Sequence, residues 1–156
     1  MYTHILVPID GSATAERGLQ EAVKLAAAHK AQLHVLTVID DFPMLMQMSS
    51  EVNFRDTMAR LRQIAEGQLA KARQTAEAAG VACDTRLCNV THGRIGNVIC
   101  DEAVKLGCEL IVMGTHGRRG FNRLALGSDA EQVTRISPVP VLLVRHADAA
   151  AGVPGA

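Results

Sequence analysis

The sequence predicts an α/β protein: an open five-stranded parallel sheet with helices on both faces. Two observations carry this. Short apolar runs alternate with longer stretches of helical spacing, and the order strand, helix repeats until it closes on a fifth strand. At 156 residues the chain is sized for one domain with a single sizeable core.

His4-Ile-Leu-Val-Pro-Ile9, closed by Asp10-Gly11-Ser12, reads as a buried strand and a turn. From Ala13 to about His29, Leu19, Ala22, Val23 and Ala26 recur at helical spacing, with Ser12 placed as N-cap. The second strand is Gln32 to Ile39, ending on Asp40 and Asp41. Phe42 to Met48 holds three of the six methionines without a regular period. A flap, a partner surface and a packed loop all suit it, and packing is the expectation.

Between about Asn53 and Ala79, Phe54, Met58, Leu61, Ala65, Leu69, Ala72 and Ala76 alternate by threes and fours, a core stripe on a long helix that Gly80 should end. Val81 to Cys88 is the third strand, with Cys83 and Cys88 facing opposite sides. Ile95, Val98, Ile99, Ala103 and Leu106 mark a helix ending at Gly107. Glu109 to Met113 is the fourth strand, followed after a loop by a helix from Ser128 to about Ile136, which Ser137-Pro138 ends. In the last strand, Val139 to Val144, Pro140 restricts the run to a sheet edge or a strand start. An apolar edge needs cover, and homodimerisation through it is an economical solution. The domain should occupy residues 1–146, with the Ala/Gly-rich 147–156 a disordered tail.

Sixteen basic and sixteen acidic residues cancel, and the isoelectric point is about 7.0. That balance argues against nucleic acid or an anionic membrane as a partner. Aromatics make up 3% and Trp is absent, so aliphatic side chains fill the core and stacking platforms are missing. No apolar run approaches the ~18 residues that span a bilayer. The N-terminus passes from Met1-Tyr-Thr-His into a strand without a signal-peptide core, so a soluble cytoplasmic protein is expected. Cys83, Cys88, Cys100 and Cys108 show no C-x-x-C spacing and are expected to be reduced thiols.

The informative stretch is Leu110 to Glu131. An apolar run ends on Gly114, a glycine-rich basic loop follows, and Ser128 opens a helix. Glycine-loop N–H groups and the unpaired N–H groups of a first helical turn can together cradle a phosphate. Arg118, Arg119, Arg123 and His116 add positive charge. The thirteen positions from Thr115 to Gly127 exceed the usual length of such connections. A plainer account stands beside this one: Ser128-Asp-Ala-Glu131 is a capping box that would start a helix with no ligand, and Gly114 and Gly127 would then serve tight turns.

In such folds ligands sit at the carboxyl ends of strands, where strand order reverses. If the first and fourth strands flank that point, Asp10 and Gly114 share one crevice. Asp10 can accept from ribose hydroxyls, the arc from Gly114 to Ser128 can donate to phosphates, and the strand end at Thr37-Val38-Ile39 can pack a base. A nucleotide has that shape. Walker-type G-x-x-x-x-G-K-[ST] and dinucleotide G-x-G-x-x-G signatures are absent. A phospho-receiver is unsupported too, because Asp10 stands alone and Cys88-Asn89 occupies the acceptor's place.

Gly114-x2-Gly117-x9-Gly127-Ser128 resembles the ATP-binding pattern of the universal stress protein family. Ile5-Leu-Val-Pro-Ile-Asp-Gly-Ser12 is similar to that family's first strand and loop, and Ser137 to Arg145 to its last strand. The likeness runs from about Tyr2 to Arg145. It implies a Rossmann-like fold of the adenine nucleotide alpha hydrolase-like type, strand order 3-2-1-4-5, and a cytoplasmic homodimer paired through its last strands. Carried over by position, Pro8, Asp10, Gly11 and Ser12 border the nucleotide, with Asp10 on the ribose. Val38 meets adenine through its backbone, Met113 and Gly114 meet the ribose or first phosphate, and His116, Gly117, Arg118, Arg123, Gly127, Ser128 and Asp129 surround the phosphates. Asp129 competes with an anion for the first helical turn. A divalent ion such as Mg²⁺ bridging it to phosphate would make it a ligand, and otherwise it points to water.

The expected function is therefore ATP binding in a stress-response or regulatory dimer, with at most slow hydrolysis, because nothing identifies a positioned general base. Two rivals remain: a phosphohydrolase or autophosphorylating enzyme using Ser128 or His116, and a nucleotide-free interaction module.

Overall fold

The computed structural model of the protein describes residues 1–47, 51–116 and 126–145. Its elements in chain order are β1 (His4–Pro8), α1 (Ala13–His29), β2 (Gln32–Asp40), α2 (Phe42–Gln47), α3 (Glu51–Ala78), β3 (Cys83–Val90), α4 (Ile95–Lys105), β4 (Leu110–Gly114), α5 (Ser128–Ile136) and β5 (Val141–Val144). The sheet has five strands in the order β3-β2-β1-β4-β5, every pairing parallel. The tail 147–156 lies outside the described residues.

Strand alternation divides the core between the two faces of the sheet. Ile5 and Val7 of β1, Leu33 and Val35 of β2, and Leu110 and Val112 of β4 pack with Leu19, Ala22 and Ala26 of α1 and Leu69, Ala72 and Ala76 of α3. Leu6, Leu36, Ile111 and Met113 point the other way, against Ile99 and Ala103 of α4 and Ala130 and Val133 of α5. Cys83 and Cys88 sit on opposite faces, as their spacing requires. β1 and β4 are buried throughout their middles, which suits central strands covered by helices on both sides.

The ends of the helices follow local chemistry. Ser12 is extended (φ −75°, ψ 157°) and its hydroxyl accepts from Ala15 N–H, the N-cap of α1. Gly80 (φ +71°) stops α3: its N–H reaches Glu77 O while Val81 N–H returns to Ala76 O. Val81 therefore belongs to the helix stop, which is why β3 begins at Cys83 rather than at Val81. Gly107 (φ +63°) repeats the device after α4.

Two local expectations need correction. Phe42–Gln47 is a short helix, and three of its apolar side chains are not packed away: Phe42 and Leu45 are each 45% exposed and Met46 73%. The capping box at Ser128 does not form. Gly127 is the N-cap (φ −62°, ψ 150°), so Ser128 is already the first helical residue and Glu131 lies one place too far along to close the box. The cause is distant in sequence: Gly127 N–H is held by Thr115 O at 2.8 Å, which keeps the chain extended through Gly127.

The last strand is shorter than expected, Val141–Val144, and it is an edge strand with Pro140 immediately before it. Pro140 has no N–H to donate but its carbonyl accepts from Ile111 N–H at 3.0 Å.

Candidate functional site

Ligand sites of parallel sheets lie where neighbouring strands send their connections to opposite faces. Here that place is the carboxyl end of β1 and β4, adjacent in the sheet, with α1 on one face and α5 on the other. Pro8 closes β1 in register with Leu36 of β2, and Met113 and Gly114 close β4 in register with Leu143 and Val144.

The loop after β1 is shaped by Asp10, whose Oδ1 accepts Ser12 N–H at 2.9 Å, an Asx turn across Gly11 at φ +80°. Ser12 and Thr14 then fasten this loop to the one after β4. Ser12 Oγ donates to His116 O at 3.4 Å, and Thr14 Oγ1 makes a short hydrogen bond to the same carbonyl. Thr115, 5% exposed, is held on two sides: its N–H donates to Val144 O at 3.0 Å and its carbonyl receives Gly127 N–H. The sequence singled out neither Thr14 nor Thr115, because their roles depend on contacts across more than ten positions of chain.

Gly114 does more than turn. A side-chain carbon there would stand 2.7 Å from the carbonyl carbon of Thr14 and 2.9 Å from Ala15 N, so α1 reaches the end of β4 only because position 114 lacks one.

Val38 lies on β2 beyond the last residue of β1. Leu36 O accepts from Ile9 N–H at 2.8 Å, and strand backbone groups alternate sides with a period of two. Val38 thus presents its carbonyl on the side that β1 has vacated by turning at Asp10. Thr37 Oγ1 donates to Ile9 O at 3.2 Å and pins that departure.

At the other wall, α5 starts on Gly127, an N-cap with no side chain to close it, with Ser128 exposed and Asp129 half-buried. Its first turn carries Asp129 and Glu131, of which Glu131 is paired with Arg135 at 2.8 Å. His116 accompanies the site with Nδ1 2.9 Å from Thr115 Oγ1, while its Nε2 is buried and has no hydrogen-bond partner among the described residues. Gly117, Arg118, Arg119 and Arg123, expected to line the loop, lie outside the described residues.

Thus Pro8, Asp10, Gly11, Ser12, Met113, Gly114, His116, Gly127 and Ser128 are gathered at one end of two adjacent strands, with Val38 on the next strand. The parts fit a nucleotide. A backbone edge is open for a base, hydroxyls and a carboxylate are placed for a sugar, and a helix start whose N-cap is a glycine suits a phosphate.

Comparison with known proteins identifies the family. The family model described as universal stress protein family matches residues 1–145. A universal stress protein of Methanocaldococcus jannaschii is 31% identical over 145 residues, spanning 93% of this chain and 83% of its own. The solved UspA of Lactobacillus plantarum superposes with a TM-score of 0.79 at 27% identity, covering 92% of this chain and 98% of that one. A universal stress protein from Archaeoglobus fulgidus, solved in complex with dAMP, shares the fold (TM-score 0.64, 21% identity, 92% and 98% covered).

Proposed function

The chain belongs to the universal stress protein family, and from that membership we propose that it is a regulatory protein that binds ATP at the carboxyl end of β1 and β4. The observation that carries this reading is the hydrogen bond from Gly127 N–H to Thr115 O. It draws the amino end of α5 to the end of β4, leaves Ser128 outside any capping box, and so keeps the helix start available to an anion.

In this reading adenine meets the backbone of Val38 and Asp10 meets the ribose. Gly114 borders the sugar, Gly117 and Ser128 donate to the phosphates, and Gly127, its N–H already given to Thr115 O, borders them without donating. Arg118 and Arg123 neutralise charge, and His116 Nε2 gains a partner that it lacks among the described residues. Asp129 stands where a Mg²⁺ ion shared with the phosphates would turn a repelling carboxylate into a ligand. The reading is of a binder and switch in the cytoplasm, with slow turnover at most. β5 is the dimer edge, its Leu142 40% exposed. The adenine nucleotide bound by the Archaeoglobus relative supports the ligand class.

The test is to denature the purified protein and identify what it releases, by anion exchange and mass spectrometry. Wild type is expected to release ATP, and folded Gly127→Val to release none. A wild type that carries no nucleotide and shows no melting shift with millimolar ATP and Mg²⁺ would sink the proposal.

A further inference from the structure

Gly11 has a neighbour on α3, the helix that shares its face of the sheet with α1. A side-chain carbon at Gly11 would stand 2.3 Å from Nε2 and 3.1 Å from Cδ of Gln68 on α3. The carboxamide therefore rests on the bare Cα of Gly11, and the glycine is needed twice, for its φ of +80° and for this seat.

Gln68 is held there by its helix. Ala65, Leu69, Ala72 and Ala76 anchor the buried face of α3, so the residue just before Leu69 has little freedom along or around the helix axis. The side chain is half-buried, and among the described residues its amide makes no hydrogen bond. A half-buried amide kept in place without an internal partner is suited to an external one.

The chemistry of the flanking groups selects that partner. Gly11 lies between Gln68 and Asp10, whose carboxylate Oδ1 already accepts Ser12 N–H. A carboxylate only accepts, whereas a carboxamide both donates and accepts. A phosphate would be repelled by Asp10, and an apolar group would leave the amide unsatisfied. A vicinal diol meets both, because each hydroxyl donates once and accepts besides. We propose that Gln68 is a specificity residue of the nucleotide site, reading the ribose 2′,3′-diol together with Asp10 and so selecting ribonucleotides over deoxyribonucleotides. This rests on the nucleotide reading above and adds a preference to it.

The test compares dissociation constants for ATP, 2′-deoxy-ATP and 3′-deoxy-ATP on wild type, Gln68→Leu and Gln68→Ala, with folding checked by melting. Wild type should lose up to about tenfold in affinity when the hydroxyl held by Gln68 is removed. In Gln68→Leu, ATP should fall to the level of that deoxy analogue, while the analogue's own affinity stays unchanged. A structural role would instead weaken all three nucleotides alike, and that result overturns the inference, as does an ATP preference indifferent to Gln68. A wild type that binds ATP without such a preference overturns this inference alone. A wild type that binds none of the three overturns the nucleotide reading and this inference with it.

Discussion

His4 Nδ1 lies 3.0 Å from Nε2 of His34, on adjacent strands at the amino end of the sheet, opposite the candidate site. With ring centroids 5.3 Å apart and planes inclined by 24°, the rings meet nitrogen to nitrogen rather than face on face. One hydrogen serves that contact, so the two imidazoles cannot both be charged and keep it. His34 is 5% exposed, and burial, with His4 beside it, lowers its pKa below the ordinary 6.5. Asp84 Oδ2, 4.0 Å from its Nδ1, pulls the other way, and Arg86 adds to the lowering.

A pH dependence follows. Because the folded pKa is depressed, the unfolded chain takes up the proton first, and His34 subtracts stability as pH falls below 6.5 toward the folded value. Denaturant melts from pH 7.5 down to 5 should show this loss, and His34→Gln should flatten that part of the profile. An identical slope in the variant would remove His34 as its source.

Gly114→Ala should cost about 2 kcal/mol or more, because the new carbon meets backbone of Thr14 and Ala15 that cannot rotate away. For a chain of this size that is a fall of about 4–8 °C in Tm. Gly18→Ala, whose nearest contact is Gly114 N at 3.3 Å, is the milder comparison. Equal melting of both variants and wild type would show that α1 yields freely.

Leu142→Arg places a charge on the exposed side of the edge strand β5. Sedimentation should show the dimer of wild type and a monomer for the variant, with unchanged circular dichroism. A wild type that sediments as a monomer at high concentration would remove the edge pairing.

Burial raises the pKa of all four thiols, Cys83 and Cys108 to about 11. Native protein at pH 7.5 should therefore alkylate with iodoacetamide at least about tenfold more slowly than the same chain in urea. Native labelling at the unfolded rate would mean the thiols are open to solvent.

The sequence exposes what is set locally. Ser12 caps α1 through its own next turn, Gly80 and Gly107 stop helices by their own φ, and the alternation of apolar residues sorts the strands between faces. It is silent where a distant residue decides. The start of α5 depends on Thr115, the seat of Gln68 on Gly11 spans two elements, and His4 and His34 meet thirty positions apart. The short helix Phe42–Gln47 is hidden for another reason: its 6 residues make fewer than two turns, too few for a period to register. The spacing of the glycines marks the end of β4 at Gly114 and the start of α5 at Gly127, whereas the hydroxyl ties of Ser12 and Thr14 to His116 O leave no spacing behind.

The order of the strands also has a history in time. β1, the first strand synthesised, pairs with β2 on one side but with β4 on the other, and β4 spans Leu110–Gly114. A growing chain can assemble β1, β2 and β3 with α1 and α3 while the second edge of β1 stays open for roughly another hundred positions. Until Gly114 leaves the ribosome, the central strand of the finished sheet is an exposed edge, and guarding it during synthesis falls to chaperones or to α1.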